Sequence, residues 1–145
     1  MAPPPSRRAR GQRAEALAAD HLQSLGFTVL TQNYRWRHGE IDLICREGDT
    51  LCFVEVRSRH SDRHGGAVET IDPRKQRRIA RTAEHYLTYV LGTLRVACRF
   101  DVVTIDGIGG DEGGGAGGGP GEGGEGATVS APVVTLLRDA FRIGG

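Results

Sequence analysis

Asp42 and Glu55 are the two residues whose type and spacing point most directly to chemistry. They lie in residues 39–45 and 51–57, two segments that alternate apolar and polar side chains with the period typical of β-strands. If these segments form a hairpin closed by a two-residue turn, the two acids lie opposite each other, with Cβ atoms roughly 5 Å apart. Two facing carboxylates are destabilising unless a cation or a proton lies between them. The pattern therefore predicts a divalent-metal site.

The turn of this hairpin is predicted at Gly48 and Asp49, because glycine supplies the positive φ that a tight turn needs. This register gives the hairpin two different faces. The first face pairs Glu40 with Arg57, Asp42 with Glu55 and Ile44 with Phe53. The second face is wholly apolar and pairs Ile41 with Val56, Leu43 with Val54 and Cys45 with Cys52. We expect the apolar face to pack on a helix.

The length and composition predict one domain with an ordinary hydrophobic core. No run approaches the ~20 apolar residues of a membrane span, and the N-terminus lacks the apolar core of a secretion signal. Three cysteines, an odd number, favour a reducing cytoplasm, and no spacing of cysteine and histidine suggests zinc. His60 and His64 are either metal ligands or plain loop residues. A cytoplasmic protein that does not bind membranes is expected.

Charge is unevenly distributed along the chain, although the net charge is only +1. Residues 1–105 carry 17 Lys and Arg against 12 Asp and Glu, whereas residues 107–126 carry four acids, no base and 13 of the 22 glycines. A segment of that composition cannot bury enough apolar area to offset its backbone entropy. We therefore expect a disordered basic arm over 1–10, a core over 11–106, a flexible insertion over 107–127 and a final strand and tail over 128–145.

A first helix is predicted over residues 11–25, with Gly26 suited to the position after its end. Its apolar stripe is expected to face the core and contains Ala14, Leu17, Ala18, Leu22 and Leu25. Glu15 lies at the border of that stripe, where an acid can either reach into a cleft or remain solvated.

A second helix is predicted over residues 72–91, with Asp72 as its N-cap, Pro73 in its first turn and Gly92 at its end. Its core face is expected to contain Ile79, Ala80, Ala83, Tyr86, Leu87, Val90 and Leu91. The first half is basic, which is unfavourable for the helix dipole. An outside anion such as phosphate is a natural partner, and a solvated charged face is the alternative.

Further strands are predicted over residues 27–34, 99–106 and 133–137. The order is then helix, strand, hairpin, helix, strand and final strand. This order is typical of an α/β sandwich with a mixed sheet of four or five strands.

Three segments carry a family resemblance: Gly-Gln-Arg-Ala-Glu at 11–15, Gly-Glu-Ile-Asp-Leu-Ile at 39–44 and Phe-Val-Glu-Val-Arg-Ser-Arg at 53–59. With residues 99–103 and 139–141, they resemble the YraN-like family of uncharacterised bacterial proteins. That family is similar in turn to the restriction-endonuclease-like nucleases, with their Asp…Glu-x-Lys signature, and especially to archaeal-type Holliday junction resolvases. The resemblance implies an αβββαβ core, in agreement with the elements above.

The resemblance also implies roles for individual residues. Asp42 and Glu55 would be catalytic metal ligands for Mg²⁺ or Mn²⁺, and the backbone carbonyl of Val56 would complete the metal shell. Glu15 would match the acid on the first helix of the resolvase branch. Contacts to the phosphates of nucleic acid are then expected from Arg59, Arg74, Lys75, Arg77 and Arg78. Trp36 and Tyr34 either stack on an unpaired base or pack against the sheet edge.

Arg57 stands where the nuclease signature has lysine. Arginine stays protonated in proteins, so Arg57 can stabilise negative charge in catalysis but cannot act as a base. A cross-strand pair with Glu40 is the alternative. Of the 19 basic residues only Lys75 is a lysine, and it either supplies the missing ammonium from the second helix or persists by chance.

Three functions follow as hypotheses. The first is a Mg²⁺-dependent endonuclease acting on DNA, including branched, flapped or single-stranded DNA. The second is a nucleic-acid-binding protein that uses the same fold without cutting. The third is a protein-interaction domain in which the two acids share a proton. Nucleic acid, DNA rather than RNA, is the expected partner, and the resolvase resemblance makes a homodimer plausible.

Overall fold

The computed structural model describes residues 7–59, 71–107 and 131–142. The predicted basic arm up to residue 6, His60, His64 and the glycine-rich insertion from residue 108 lie outside the described residues. No helix in the described part of the chain has the length and apolar composition that crossing a membrane requires.

One mixed five-stranded sheet lies between two helices, as the sequence predicted. In chain order the elements are α1 (Arg7–Ser24), β1 (Thr28–Trp36), β2 (Gly39–Glu47), β3 (Thr50–Arg59), α2 (Pro73–Tyr86), a π-helical turn (Leu87–Leu91), β4 (Cys98–Asp106) and β5 (Val133–Phe141). The strands follow one another across the sheet in the order β1-β2-β3-β4-β5. β3 and β4 are parallel, and the other three neighbouring pairs are antiparallel. The connection through α2 permits the parallel step.

Both helices have the predicted end signals. α1 begins at Arg7, before the predicted start at residue 11, and Gly26 follows it with φ +96°. The N-cap Asp72 of α2 accepts a hydrogen bond of 2.7 Å from the backbone N–H of Arg74. Gly92 ends the π-helical turn in the left-handed conformation, with φ +77°.

The sheet has a core on each face. The α1 side buries Ala14, Ala18, Ala19, Leu22, Phe27, Leu43, Cys45, Cys52, Val54, Val103 and Ile105. The α2 side buries Ile41, Ile44, Leu51, Phe53, Ile71, Ile79, Ala83, Tyr86, Leu87 and Val102. Alternate residues of β3 and β4 point to opposite cores, so this central pair is buried on both faces.

Three residues predicted to be core are exposed: Leu25, Val90 and Leu91. Leu25 lies beyond the end of α1 at Ser24. The other two lie in the π-helical turn, where the 3.6-residue period used for the prediction no longer holds.

The hairpin has the predicted two-residue turn. Its strand pairing begins beside the turn, with Glu47 opposite Thr50, and ends with Leu43 opposite Val54. Gly48 has φ +59°. Beyond Leu43 and Val54, β2 remains paired with β1 and β3 remains paired with β4. We call this divergence the β2–β3 fork.

The fork corrects one part of the predicted faces. Ile41 was expected on the same side as Leu43, but it packs in the α2 core while Leu43 packs in the α1 core. Without a β3 partner, this end of β2 follows the twist of β1, and strict alternation across the hairpin is lost. Asp42 lies between these two residues, at the point where the strand changes sides.

β5 is held by polar contacts in addition to its ladder with β4. The buried Asp101 accepts a 2.9 Å hydrogen bond from the backbone N–H of Asp139 and a 2.9 Å bond from Arg99 Nε. Arg99 and Arg138 both bind the Glu47 carboxylate. At the other end of β5, Val133 pairs with Asp106, the last residue of β4.

Gly39 lies where β2 approaches α2 most closely. A Cβ atom there would overlap Thr82 Oγ1 and lie 3.1 Å from the carbonyl oxygen of Arg78. We predict that Gly39→Ala lowers the free energy of unfolding by about 1–3 kcal/mol, because the helix must move away from the strand. Thermal unfolding measures the change. Gly11→Ala is the control, since nothing lies within 4 Å of that position, and equal melting temperatures for both variants would contradict this close packing.

Candidate functional site

Two neighbouring cavities lie at the β2–β3 fork and share Glu40 and Asp42 as a common wall. The first has a volume of about 210 Å³ and is lined by His38, Gly39, Glu40, Asp42, Glu55, Lys75, Arg78 and Ile79. The second has a volume of about 520 Å³ and is lined by Gly11, Gln12, Glu15, Asn33, Arg35, Glu40 and Asp42. The predicted acid pair therefore lies in one cleft, with α2 on one side and α1 on the other.

Glu55 is the most deeply placed acid of the cleft, with a side chain only 3% exposed. Burial raises the pKa of Glu55 to about 8, and the neighbouring Asp42 carboxylate adds to the rise, while Lys75 opposes it. Glu55 Oε1 is buried and has no hydrogen-bond partner within the described residues. A buried carboxylate oxygen without a partner is costly, and it is suited to a cation or to a proton.

Asp42 is held by the main chain of the opposite strand. Its Oδ2 accepts a 2.8 Å hydrogen bond from the backbone N–H of Val56, a group that the fork removes from the β2–β3 ladder. Burial raises the pKa of Asp42 to about 6, with further rises from Glu15 and Glu40, against the opposing effects of the Val56 amide and Lys75. Asp42 and Glu55 thus interact electrostatically, although the β2–β3 ladder ends at Leu43 and Val54, before the direct cross-strand pair that the hairpin pattern predicted for the two acids.

Lys75 enters this acid pair from the first turn of α2. Its Nζ lies 3.4 Å from Glu55 Oε2, and its own side chain is 42% exposed. The ammonium therefore touches the buried carboxylate and remains open to solvent and to ligands. The sequence offered Lys75 both as a phosphate contact and as a substitute for the missing signature lysine.

Glu15 reaches the cleft from α1. Its Oε2 accepts a 3.0 Å hydrogen bond from Asn33 Nδ2, and its charge contributes to the raised pKa of Asp42. Asn33 interrupts the regular pairing of β1 with φ +54°, a conformation that asparagine tolerates better than most residues. The sequence left open whether Glu15 reaches into a cleft or remains solvated, and in the structure it lines the larger cavity.

Sequence reasoning missed Glu40 and Asn33 as parts of the cleft. Glu40 lines both cavities and lies 3.4 Å from Arg35, whereas the sequence considered it only as a partner of Arg57. The position of Glu40, two residues before Asp42 in the same strand, was the sequence signal that could have placed it in the cleft. No sequence signal located Asn33, because its place in the cleft depends on its left-handed backbone conformation within β1.

The remaining predicted residues are distributed around the cleft. Arg57 lies in β3, half-buried and in register with Thr104, and Arg59 pairs with Asp106 at 3.0 Å. Arg78 lines the smaller cavity. Arg74 and Arg77 are exposed on α2 outside both cavities.

The donors at the fork suit a divalent cation in their chemistry. Two carboxylates offer hard oxygen ligands, and the unpartnered Glu55 Oε1 is an oxygen that a cation would satisfy. Across the three described segments, no group of three or more His, Cys, Asp or Glu side chains is arranged to hold a metal ion. Mg²⁺ needs no such group, since it is often bound by one or two carboxylates with water and phosphate oxygens.

Comparison with known sequences identifies close relatives. Residues 14–105 match the uncharacterised protein family UPF0102, which confirms the YraN-like resemblance. The chain is similar to a UPF0102 protein of Nitrosomonas europaea, with 54% identity over 68% of this chain and 81% of the relative. It is similar to another from Dechloromonas aromatica, with 52% identity over 68% and 80% of the two chains, and to one from Chlorobium chlorochromatii, with 46% identity over 73% and 81%. The matched region contains every residue that lines the two cavities except Gly11 and Gln12.

The raised pKa values at the fork predict how stability depends on pH. In the unfolded chain Glu55 ionises near pH 4, whereas in the folded protein it ionises near pH 8. Between these values the folded state holds a proton that the unfolded state has lost, so stability is expected to fall as the pH rises from 5 to 8.

The measurement is the melting temperature of wild type and Glu55→Gln across this range. We expect Glu55→Gln to decline less steeply with pH, because its amide does not ionise. Glu84→Gln, at an exposed position on α2, is the control and should follow wild type. Identical slopes for wild type and Glu55→Gln would contradict the assignment.

Proposed function

Since the chain belongs to the uncharacterised protein family UPF0102, we propose from its cleft that it is a divalent-metal-dependent nuclease acting on the phosphodiester backbone of DNA. The observation that carries this proposal is the buried Glu55 carboxylate, which lies beside Asp42 and has one oxygen without a partner among the described residues. The family name states no activity, and fold analogy alone is a weak reason to assign one. The proposal therefore depends on the chemistry of the cleft.

Asp42, Glu55 and the backbone carbonyl of Val56 are the groups that would hold Mg²⁺ or Mn²⁺. When bound, such a cation polarises a phosphate oxygen and lowers the pKa of a coordinated water. The backbone N–H of Val56 already fixes one oxygen of Asp42, which restricts the orientation of that carboxylate. The orientation of Asp42 is thus set by the main chain before any substrate arrives.

Cationic side chains around the cleft would neutralise the phosphate. Lys75, 3.4 Å from Glu55, is the ammonium nearest to the acid pair, and in this role it replaces the lysine that the nuclease signature has at position 57. Arg57 stays protonated and would stabilise negative charge. Glu15 would help to orient water or the cation from the α1 side.

The start of α2 would bind the phosphates of the flanking nucleic acid. Arg74, Arg77 and Arg78 are exposed, and none forms an ion pair with an acid in the described part of the chain. Such contacts give an affinity that falls with salt and depends little on sequence. The resemblance to resolvases favours a branched or flapped DNA as substrate.

A nucleic-acid-binding protein without nuclease activity is the second candidate. Arg57 favours it, because no arginine can act as a base. This candidate predicts salt-sensitive binding that a chelator does not change. It also predicts that replacing Arg74, Arg77 and Arg78 weakens binding more than replacing Asp42 does.

Cleavage should depend on both acids of the fork. We expect Asp42→Asn and Glu55→Gln each to lower the rate of DNA cleavage in Mg²⁺ or Mn²⁺ by roughly 100-fold or more, because each removes a charge that acts directly in the reaction. The assay compares duplex, fork, flap, four-way junction and RNA, with a chelator as a further arm. Asp49→Asn, in the hairpin turn, is the matched control and should keep wild-type activity. Activity that survives both acid substitutions would disprove the site.

Lys75 should have separable effects on cation binding and on cleavage. Lys75→Met removes the ammonium that competes with a metal ion for Glu55, so the rise in melting temperature on adding Mn²⁺ should be larger than in wild type. Cleavage should nevertheless fall by about 10- to 100-fold, as is usual for groups that support a metal site. Lys75→Arg, which keeps the charge, should restore the wild-type response to Mn²⁺. A cleavage rate in Lys75→Met equal to that of wild type would contradict a role for Lys75 in cleavage and leave it only a structural role.

A further inference from the structure

A column of stacked side chains lies next to the acid cleft, at the edge of the sheet formed by β1. The guanidinium of Arg37 lies 4.8 Å above the centre of the Trp36 ring. Trp36 stacks on His85, with ring centres 4.7 Å apart and planes at 17°. His85 in turn contacts Tyr89 in a tilted arrangement, with ring centres 4.6 Å apart and planes at 37°. We call these four residues the aromatic column.

The inner part of the column is fixed and its end is open. A hydrogen bond of 2.6 Å joins Tyr34 Oη and His85 Nδ1, and Tyr34 packs edge-on against Tyr86 of the α2 core. Trp36 and His85 are half-buried, whereas Tyr89 is 76% exposed. A rigid stack that ends in an exposed ring presents a flat surface on which another ring can lie.

The aromatic column is connected to the cleft through both of the segments that carry it, the end of β1 and the helix α2. Arg37 directly precedes His38 and Gly39, which line the smaller cavity. On α2, Arg78, Thr82 and His85 follow at helical spacing on one face, and Tyr89 lies one turn further along. Arg78 lines the same cavity. A ligand along this face would therefore meet the column at one end and the acid pair at the other.

The charge of this face selects the kind of ligand. Arg37, Arg78 and Arg81 are exposed, and none forms an ion pair with another described residue. Aromatic rings between cations are the combination by which proteins bind single-stranded nucleic acid, because the rings stack on bases and the cations contact phosphates. A paired base inside a duplex cannot offer its face to such a stack.

We propose that Tyr89, supported by His85 and Trp36, stacks on an unpaired base of the nucleic acid whose backbone lies at Asp42 and Glu55. This inference rests on the proposed function and narrows its substrate class to DNA with an unpaired nucleotide a few positions from the cleaved bond, such as a flap, a fork or a gap. Intact duplex is then a weaker ligand. Arg81, on the same face of α2, contacts a phosphate beside the stacked base, and Arg37, at the other end of the column, contacts a phosphate nearer the cleft.

The test measures binding, so that it does not require cleavage. Asp42→Asn protein in a chelator is titrated, at one fixed salt concentration, with a labelled single-stranded oligonucleotide and with a blunt duplex of the same length. We expect Tyr89→Ala to weaken binding of the single strand by roughly tenfold, the usual effect of losing one stacking ring, and to leave duplex binding unchanged. Tyr89→Phe keeps the ring and should bind as the parent does.

Leu25→Ala is the matched control, because Leu25 is another exposed large side chain and follows α1, which packs on the opposite face of the sheet. Melting temperatures verify that Tyr89→Ala is folded, as expected for an exposed residue. Equal affinities of Tyr89→Ala and its parent for the single strand would overturn the stacking proposal and leave the nuclease proposal intact. A change in oligomeric state with unchanged binding would likewise overturn it, in favour of contact between copies. Failure of both this parent and the wild-type protein to bind any nucleic acid would overturn both proposals.

Discussion

The separation of β2 from β3 beyond Leu43 and Val54 is the constraint on which the cleft depends. A continuous ladder would bury both strands completely and leave no space between the helices. The fork instead leaves the backbone N–H of Val56 without a strand partner, and the carboxylate of Asp42 satisfies it. One hydrogen bond thus replaces the lost ladder contact and orients the Asp42 carboxylate. The opening and the chemistry of the cleft have the same structural cause.

The second consequence of the fork is electrostatic. Glu55 is taken out of water next to another carboxylate, and the nearest compensating charge comes from Lys75 on a different element. In a chain whose other basic residues are arginine, this contact gives the single lysine a physical role. An ammonium is more compact than a guanidinium and fits beside a buried acid.

The sequence was sufficient to predict those features of the fold that depend on residues close together in the chain. The Gly48 turn, the Asp72 cap and the period of two set the hairpin register and the start of α2. It was insufficient for features that depend on how elements distant in the chain pack together. Ile41 packs on the α2 side because of the fork. Val90 is exposed because it lies in a π-helical turn. Glu40 contributes to the cleft because the two cavities meet at this residue. The acid pair was predictable because both members lie in one hairpin, whereas Asn33 required the conformation of β1.

The pairing of Asp106 with Val133 has a consequence for the evolution of the chain. The two residues bracket the segment whose composition is most unusual, and their pairing holds its ends side by side. The entropy of closing a loop grows only with the logarithm of its length once the ends are fixed together. Lengthening or shortening that segment should therefore cost little free energy and leave the far side of the sheet undisturbed. Glycine can therefore be added there without disturbing the cleft at the β2–β3 fork.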